Sequence, residues 1–544
     1  MRSTMQDFPL SIGAILRFGE QVFGDSEVVT LTEGGARRRR SFAESAARAA
    51  RLANGLRELG IDGDQRVATF MWNNAEHLEA YLAVPSMGAV LHTLNIRLFP
   101  EQVVYIAQHA EDGVVIVDDS LIPVFAKVLP DLTTVHTVLV SGDGDRSALE
   151  GAGKQILSYE DVLASSSESF DWSEDVDERS AAAMCYTSGT TGNPKGVVYS
   201  HRSCWLHSMS ICTGNNNNLS ADDRALPIVP MFHANAWGIP YGAFMSGADL
   251  IMPDRFLQAE PVIELIEAER VTVSAAVPTI WNDILQFLRN NPRPGVFASI
   301  RAVLCGGSAV PRSLIEAFDS EFGVTIIQGW GMTETSPVAA VAKPPVGVTG
   351  DAAWDYQAKA GRLQFGVELR LVDDSGQVQE RDGKAVGEIQ VRGPWVTAAY
   401  YRDDDPEKFD DGWLRTGDVG TIDPMGYITI SDRSKDVIKS GGEWISSVEL
   451  EGEIMAHPAV LEACVVGVPD EKWQERPLAC VVLQPGAEAS PEELQAFLAD
   501  RVVKWWLPER WTVIEAVPKT SVGKFDKKVL RQQYADGELS VTTL

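Results

Sequence analysis

The sequence predicts an α/β protein with wound β/α sheets, a small antiparallel or barrel-like unit and a final α+β domain. Three observations predict this class. The 544 residues give room for three or four folding units at roughly 150 residues each. Strand-like and helical segments alternate twice along the chain, which is typical of wound, largely parallel sheets. Short strands with turn residues then begin near Glu368, and the pattern becomes mixed after Arg433.

The first alternation begins with a well-marked helix. Ser41 and Glu44 have the spacing of a capping box, apolar residues recur on one face as far as Leu59, and Gly60 ends the pattern. Strands are then predicted at 66–71, 89–94 and 114–117, with a helix at 77–82. These segments predict a first wound sheet.

The same alternation resumes after the middle of the chain and predicts a second wound sheet. Strands are predicted at 226–229, 271–275, 301–305 and 324–328, and helices at 261–270, 280–289 and 311–322. The four asparagines at 215–218 are predicted to form a surface loop, because four adjacent amides do not pack a core.

The last third of the chain predicts two smaller units. Short strands at 369–374, 387–392 and 426–430 indicate a small antiparallel sheet or β-barrel. Further on, helices at 447–455, 491–503 and 526–533 are mixed with strands at 461–466 and 479–483. A boundary is therefore predicted near residue 432, between an N-terminal domain at 1–431 and a C-terminal domain at 434–544.

The composition is that of an acidic globular protein. With 47 Lys and Arg against 76 Asp and Glu the formal net charge is −29, and only the four arginines at 37–40 form a basic run. Binding to nucleic acid by counterion release needs a basic surface, so the composition argues against that partner. The arginines are predicted to form a solvated hairpin, with contact to an anionic surface as the alternative.

The sequence also indicates a compartment. The beginning of the chain lacks a signal-peptide pattern, and no apolar window approaches about 20 residues, so no integral membrane segment is expected. Six sparse cysteines without C-x-x-C spacing predict free thiols in a reducing cytoplasm.

The strongest local pattern is Tyr-Thr-Ser-Gly-Thr-Thr-Gly-Asn-Pro-Lys-Gly at 186–196. Its glycines let backbone amides approach an anion, its hydroxyls add donors, and Lys195 adds a positive charge. These are the parts of a phosphate-binding loop, although the spacing differs from that of a Walker A loop. A flexible linker is the alternative, and it is disfavoured by the fixed order of these residues between two apolar segments.

Three other segments are weak signals when each is taken alone. Gln-Gly-Trp-Gly-Met-Thr-Glu-Thr at 328–335 places Glu334 in a glycine-rich loop after a strand. Thr-Gly-Asp at 416–418 places Asp418 after another strand, and Pro-Lys-Thr-Ser-Val-Gly-Lys at 518–524 places Lys524 behind a glycine. A helix cap, a turn residue and a solvated lysine are the respective alternatives.

Together and in this order, these segments resemble the adenylate-forming superfamily of acyl-CoA synthetases, luciferases and peptide-synthetase adenylation domains. The resemblance spans about residues 30–535 and includes Pro-Met-Phe-His-Ala-Asn-Ala-Trp at 230–237, Gly-Gly-Ser-Ala at 306–309 and the segment 432–446. Within the superfamily, Phe-His-Ala-Asn-Ala-Trp at 232–237 and Ser-Gly-Gly-Glu-Trp-Ile-Ser at 440–446 look most like the medium- and long-chain fatty acyl-CoA synthetases. The resemblance implies a large N-terminal domain of two wound β/α sheets plus a small β-barrel, and a small, mobile α+β C-terminal domain.

The resemblance also implies how a carboxylate would be joined to the α-phosphate of ATP. Lys524 would bridge the two anions, His233 would lie near the reacting carboxylate, and Mg²⁺ would be held by Glu334 and Thr187. A buried strand-end histidine is the alternative for His233. The other residues implied to bind ATP or AMP are Ser188, Gly189, Thr190, Thr191, Gly192, Lys195, Gly307, Ser308, Ala309, Gln328, Gly329, Trp330, Gly331, Thr333, Asp418, Arg433 and Lys435.

The resemblance implies particular roles for the residues around the ribose and the adenine. Asp418 would accept hydrogen bonds from the ribose hydroxyls with help from Arg433. Trp330 and the backbone at 307–309 would sandwich the adenine. Family members often have tyrosine at the position of Trp330, so stacking is retained while the phenolic hydrogen bond is lost.

A second set of roles concerns coenzyme A and the acyl group. The C-terminal domain would rotate about a hinge at 432–433, centred on Asp432, and present residues 435–444 to the adenylate. The implied coenzyme A tunnel residues are Lys439, Gly441, Gly442 and Trp444. Ala234 and Trp237 would line and gate the acyl pocket. Core packing is the alternative for both tryptophans.

The main hypothesis is an ATP-dependent, AMP-forming acyl-CoA ligase that uses a medium- or long-chain fatty acid. A short methylthio- or aryl-substituted acid is the nearest alternative, and a carrier-protein acceptor is a more remote one. A non-catalytic nucleotide or acyl binder would be expected to lack Lys524 or Glu334, and both are present. Small-molecule substrates are the expected partners, and a homodimer is expected from the resembled branch.

Overall fold

The fold is organised by its β-sheets. The computed structural model describes residues 1, 3–187, 193–373, 375–433, 435–440, 443–520 and 524–544, and within these ranges the strands form four sheets. The α-helices of the same ranges are Ile12–Val22, Phe42–Glu58, Ala75–Ser86, Pro100–Ala110, Ile122–Phe125, Tyr159–Ser165, His201–Ile211, Ile239–Ser246, Ala259–Glu269, Pro278–Asn290, Arg312–Phe322, Asp351–Gln357, Ser447–Met455, Pro491–Leu498 and Lys527–Ala535. The 3₁₀ turns are Glu33–Gly35, Asp119–Leu121, Leu129–Asp131, Ser147–Leu149, Ala234–Gly238, Thr333–Thr335, Pro406–Lys408 and Lys504–Trp506.

The first two sheets are the predicted wound sheets, and most of their neighbouring strands are parallel. In spatial order the first contains Gln155–Ser158, Thr137–Ser141, Asp112–Asp118, Arg66–Phe70, Val90–Thr93, Ala181–Tyr186 and Gly196–Ser200. The second contains Arg362–Leu363, Val338–Val341, Ile326–Gly331, Ala302–Gly306, Val273–Ala276, Arg224–Pro227, Asp249–Met252, Glu27–Leu31 and Arg37–Ser41. The predicted α/β class is confirmed.

The other two sheets belong to the smaller units. An antiparallel sheet takes the place predicted for the small barrel, with strands Glu368–Val372, Gly387–Arg392, Trp413–Ile422, Phe409–Asp410 and Ile428–Arg433. The last sheet contains Glu443–Ile445, Ile438–Ser440, Gln474–Leu483, Val460–Asp470, Arg510–Val513 and Thr542–Thr543. Helices pack against it, which gives the predicted C-terminal α+β arrangement.

The helix Phe42–Glu58 shows how local sequence sets an element. Ser41 Oγ accepts from the Glu44 amide at 3.0 Å, and the Glu44 carboxylate accepts from the Ser41 amide at 2.7 Å, so the predicted capping box is formed. Leu52 and Leu56 are fully buried on its inner face. This apolar face therefore packs the helix against the helices Ile12–Val22, Ala75–Ser86 and Tyr159–Ser165.

Two loop predictions need correction. Asn216 and Asn217 are buried, at 0% and 2% exposure, so the asparagine run is only partly a surface loop. The arginines at 37–40 do form a hairpin strand paired with Glu27–Leu31, but Arg40 is not solvated. Its guanidinium contacts Glu79 at 2.5 Å and Glu76 at 2.8 Å, and both carboxylates are buried.

All four of these arginines pair with carboxylates of neighbouring elements. Arg38 also contacts Glu76, and Arg37 and Arg39 share Glu269. Ion pairs within the chain thus neutralise the basic run, while Arg37, Arg38 and Arg39 remain exposed as predicted. Of the helices in the part of the chain that is described, none has the length and apolar character needed to cross a membrane.

We predict that Glu79→Leu destabilises the N-terminal part by about 3 kcal/mol, because removing one member of a buried ion pair strands its partner. Glu79 is fully buried and also accepts from the Tyr159 hydroxyl at 2.7 Å. Urea unfolding measures the change. Glu160→Ala, which removes the exposed carboxylate paired with Arg48, is the control. It is expected to lower the free energy of unfolding by less than about 1 kcal/mol. An equal shift in both variants would contradict the prediction.

Candidate active site

One cavity of about 650 Å³ lies where strands of both wound sheets end. Thr187, Gly307 and the loop after Gly331 each follow the carboxyl end of a strand, which is where α/β sheets bind ligands. The predicted residues that line this cavity are Thr187, Lys195, His233, Ala234, Trp237, Gly307, Gly329, Trp330, Gly331, Thr333, Glu334, Arg433, Lys435 and Lys524. The structure therefore brings together residues that are far apart in sequence.

Lys524 enters this cavity from the C-terminal α+β unit. Its Cε lies 3.9 Å from the position that a Cβ on Gly307 would occupy, so the ammonium reaches the loop after strand Ala302–Gly306. Thr520 holds the base of this segment, since its amide donates to the Lys524 carbonyl at 2.7 Å. Burial and the Arg433 charge lower the pKa of Lys524 to about 8, against the opposing effect of Asp418 and Glu334.

Asp418 lies at the centre of a second cluster in the same region. Its carboxylate accepts from the Trp330 indole N–H at 2.9 Å and pairs with Arg433 Nε at 2.8 Å. Each oxygen thus already accepts one hydrogen bond and retains a lone pair for a ligand hydroxyl. The Trp330 indole N–H thus orients this carboxylate.

Glu334 and Thr187 lie on loops whose geometry is fixed by hydrogen bonds. The Tyr400 hydroxyl donates to the Glu334 carboxylate at 2.6 Å. The amide of Lys195 donates to Thr187 Oγ1 at 3.0 Å, and the amide of Thr187 donates back to the Lys195 carbonyl at 3.0 Å. Both side chains offer oxygen ligands beside the cavity, a donor set that fits Mg²⁺.

Lys195 is held by an acidic segment in this structure. Its ammonium lies 2.5 Å from Asp405 and 3.5 Å from Asp403, and 4.9 Å from the ring centre of Tyr400. An anionic ligand would therefore compete with Asp405 for this cation.

His233 precedes an unusual turn that carries Trp237. Burial, Lys524 and Arg97 lower the pKa of His233 to about 3, so its imidazole is neutral. The next four residues, up to Trp237, have φ between 44° and 55°. Left-handed backbone costs about 1–2 kcal/mol per non-glycine residue, so tertiary packing must hold this turn. Trp237 packs 3.4 Å from the Cβ position of Gly306 and closes that side of the cavity.

Several predicted residues are not brought to the cavity. The Gln328 side chain accepts from the Val310 amide and donates to the Lys359 carbonyl at 2.7 Å, so it supports neighbouring loops instead. Ser308, Ala309 and Lys439 are exposed and lie outside the cavity lining. Other predicted positions lie outside the described residues or, for Trp444, outside the described side chains: Ser188, Gly189, Thr190, Thr191, Gly192, Gly441, Gly442 and Trp444.

Asp432 connects the two parts of the chain. Its backbone pairs with Val419 in the antiparallel sheet, and its carboxylate accepts from the Ser447 amide at 2.7 Å and the Ser447 hydroxyl at 2.5 Å. Lys527 donates to the same hydroxyl and pairs with Glu451 at 2.8 Å. The side chain of Asp432 is thus fixed to the helix Ser447–Met455 while its backbone belongs to the other unit.

The sequence patterns missed part of the cavity wall. The additional lining residues outside the quoted motifs include Tyr105, His109, Val338, Tyr400, Arg402, Asp403, Asp405 and Lys408. Most lie in a helix or loop without a recognisable motif. Their only sequence signal is nearness to a predicted strand end, which is too general to select them.

Comparisons with known proteins agree with this architecture. The model of the AMP-binding enzyme family matches residues 19–401, and the model of the AMP-binding enzyme C-terminal domain matches residues 449–524. The ATP-bound structure of MatB from Rhodopseudomonas palustris aligns with a TM-score of 0.81 and 27% identity, covering 97% of this chain and 99% of that chain.

Curated relatives match over nearly their whole length. The long-chain-fatty-acid–CoA ligase of Thermus thermophilus is 44% identical, over 98% of this chain and 97% of the relative. The 3-methylmercaptopropionyl-CoA ligase of Ruegeria pomeroyi is 42% identical, over 98% and 99%. The medium-chain-fatty-acid–CoA ligase of Ectopseudomonas oleovorans is 41% identical, over 98% of each.

We predict that Lys524 titrates near pH 8 and that Arg433→Gln raises its pKa, because a neighbouring positive charge disfavours the ammonium. NMR titration of ¹³C-dimethylated lysines, assigned with a Lys524 variant, measures both values. Arg415→Gln removes an arginine of the same sheet that pairs with Glu388 and serves as the control. If Lys524 of the parent protein titrates with the ordinary pKa of 10.5, the buried position of this lysine is contradicted.

Proposed function

The chain belongs to the AMP-binding enzyme family, as its motifs predict, and we propose that it is an ATP-dependent, AMP-forming acyl-CoA ligase. It activates a medium- or long-chain fatty acid as acyl-AMP, releases pyrophosphate, and transfers the acyl group to coenzyme A. The observation that carries this proposal is the position of Lys524 in one cavity with Glu334, His233 and Arg433.

In the first half-reaction a carboxylate oxygen attacks the α-phosphorus, and the bond to the pyrophosphate oxygen breaks. The Lys524 ammonium neutralises charge on both reacting anions, which is the main requirement of this transfer. Neutral His233 lies at the carboxylate side without adding charge. Asp418 and Arg433 hold the ribose, and Trp330 stacks on the adenine.

Mg²⁺ would be held by Glu334 and Thr187 together with phosphate oxygens and water. When bound, the ion supplies additional charge neutralisation to the phosphates. The Tyr400 hydroxyl orients Glu334 for this role. Lys195 would bind the terminal phosphates after leaving Asp405.

In the second half-reaction the thiol sulfur of coenzyme A attacks the acyl carbon, loses its proton, and AMP leaves. We propose that residues 434–544 form a C-terminal domain that rotates about the hinge at 432–433 relative to residues 1–431. Rotation would withdraw Lys524 and present Lys439, Gly441, Gly442 and Trp444 to the adenylate. The double attachment of Asp432 supports its role as the hinge.

The acyl group would enter past Ala234 and Trp237, where the lining is small or apolar. Trp237 lies on the left-handed turn and closes this side of the cavity, so its displacement would open room for an aliphatic chain. The relative from Ruegeria pomeroyi supports a second candidate substrate, a short methylthio-substituted acid.

We also propose that the enzyme is cytoplasmic and forms a homodimer. Six free cysteines support a reducing cytoplasm. Phe18 and Val22, which are 46% and 56% exposed on the first helix, support a homodimer through the N-terminal region. Sedimentation analysis of the parent and of Phe18→Asp would test the dimer.

The proposed activity is tested by ATP–pyrophosphate exchange and by CoA-ester formation with straight-chain acids of graded length and with methylthio acids. We predict exchange and thioester formation, with the largest kcat/KM for a medium- or long-chain acid. A maximum at the methylthio acid would select the second candidate. Absence of both activities with every acid would contradict the proposal.

We predict that Lys524→Ala lowers exchange at least about 100-fold, because a preorganised charge is removed from the transition state. The variant should still convert presynthesised acyl-adenylate to thioester. Lys519→Ala, which removes a neighbouring lysine paired with Glu462, is the matched control. Equal losses in both half-reactions would rule out the two-conformation mechanism, and retained exchange would remove Lys524 from the catalytic residues.

We predict that Glu334→Gln raises the Mg²⁺ concentration needed for half-maximal exchange, because an amide is a weaker ligand than a carboxylate. Magnesium titration at fixed ATP measures the change. Glu316→Gln, at a half-exposed helix position that pairs with Arg312, is the control. An unchanged magnesium dependence would exclude Glu334 as a ligand.

A further inference from the structure

A histidine lines the cavity on the side of Lys195. His109 lies in the last turn of helix Pro100–Ala110, and no sequence motif identifies it. Its ring stacks on Tyr105 at a centroid distance of 5.5 Å and meets the edge of Tyr401 at 5.5 Å. Two aromatic neighbours therefore fix the plane of the imidazole.

Tyr186 determines which ring nitrogen carries the proton. Its hydroxyl lies 2.7 Å from His109 Nδ1, and Tyr186 directly precedes Thr187 at the phosphate-binding loop. Among the described residues His109 Nδ1 is the hydrogen-bond partner of this hydroxyl, so the hydroxyl is assigned as the donor of the bond and Nδ1 as the acceptor. The neutral ring then carries hydrogen on Nε2, its remaining polar atom.

A buried pair supports Tyr186 from behind. His92 Nδ1 lies 2.8 Å from Asp112, both side chains are fully buried, and the His92 ring is 5.1 Å from the Tyr186 ring. Tyr186 is thus confined between this pair and His109. Such a supporting layer is expected where a donor must be held in a fixed orientation.

Charged residues of both signs surround His109, and the cations among them are already paired with carboxylates. The segment that contains Arg402 and Asp405 contacts both His109 and Lys195, and Arg402 pairs with Glu111 at 2.6 Å. Burial and Arg402 lower the pKa of His109, so the imidazole is a neutral donor. The neutral N–H of His109 can donate to a phosphate oxygen without first breaking an ion pair. Lys195, in contrast, must first leave its ion pair with Asp405.

We propose that His109 is a phosphate-binding residue that donates from Nε2 to the terminal phosphates of ATP and to the departing pyrophosphate. The inference rests on the proposed function and extends it, because it assigns a ligand of the polyphosphate that the family motifs leave out. Tyr186 is a positioning residue that acts through His109. Binding of substrates that carry a polyphosphate should therefore depend on His109, whereas the reaction of the acyl-adenylate should not.

The test compares His109→Ala and His109→Gln with the parent enzyme. We expect the KM for ATP and for pyrophosphate in the exchange reaction to rise roughly ten- to hundredfold in His109→Ala, the size typical for a lost hydrogen bond to a charged group. His109→Gln should recover part of the loss, because its amide retains a donor. Tyr186→Phe should raise the same two constants by a smaller factor.

Thioester formation from presynthesised acyl-adenylate and coenzyme A is the internal control. It contains no polyphosphate, so we expect the rate of every His109 and Tyr186 variant to stay within about twofold of the parent. The exposed His136→Ala, remote from the cavity, controls for loss of a histidine.

Two results would overturn the inference alone. One is unchanged KM for ATP and pyrophosphate in His109→Ala while the parent exchanges normally. The other is a parallel loss of exchange and of thioester formation, which would indicate a structural role. If the parent itself shows no exchange with any acid, the proposed function fails and the inference fails with it.

Discussion

The charge of one lysine has to be balanced inside a cavity whose walls come from residues distant in sequence. Lys524 lies beside Arg433, which would repel it, and near Asp418 and Glu334, which oppose that repulsion. A hydrogen bond from Trp330 and an ion pair with Arg433 fix the Asp418 carboxylate, which balances the two positive charges. A bound carboxylate and phosphate would complete the neutralisation, so the site is prepared for anions.

This local balance changes what the overall acidity means. A net charge of −29 cannot attract ATP and coenzyme A, which are themselves polyanions. The one basic run in the sequence is neutralised by Glu76, Glu79 and Glu269 within the fold. Binding must therefore depend on the few cations that reach the cavity and on backbone amides at strand ends. The remaining acidity favours solubility.

Much of the fold and part of the site were predictable from local patterns. The capping box at Ser41, the alternating strands and helices, and the residues in motifs such as Glu334 and Lys524 follow from short-range sequence rules. Gln328 could not be placed, because a motif does not say whether a side chain turns to the ligand or to Val310. His109 and Tyr400 could not be found either. Their roles depend on contacts between elements distant in sequence, which spacing along the chain does not encode.

We propose that the described arrangement, with Lys524 inside the cavity, performs only the first half-reaction. Asp283 on helix Pro278–Asn290 lies within electrostatic range of Lys519, near the Lys524 segment. Cysteines at these two positions, joined by a short bifunctional thiol reagent, would hold the two parts together. The measurement is ATP–pyrophosphate exchange and thioester formation before and after cross-linking, with each single cysteine variant as control. We predict that exchange persists and thioester formation stops. Full turnover to CoA ester by the cross-linked enzyme would contradict it.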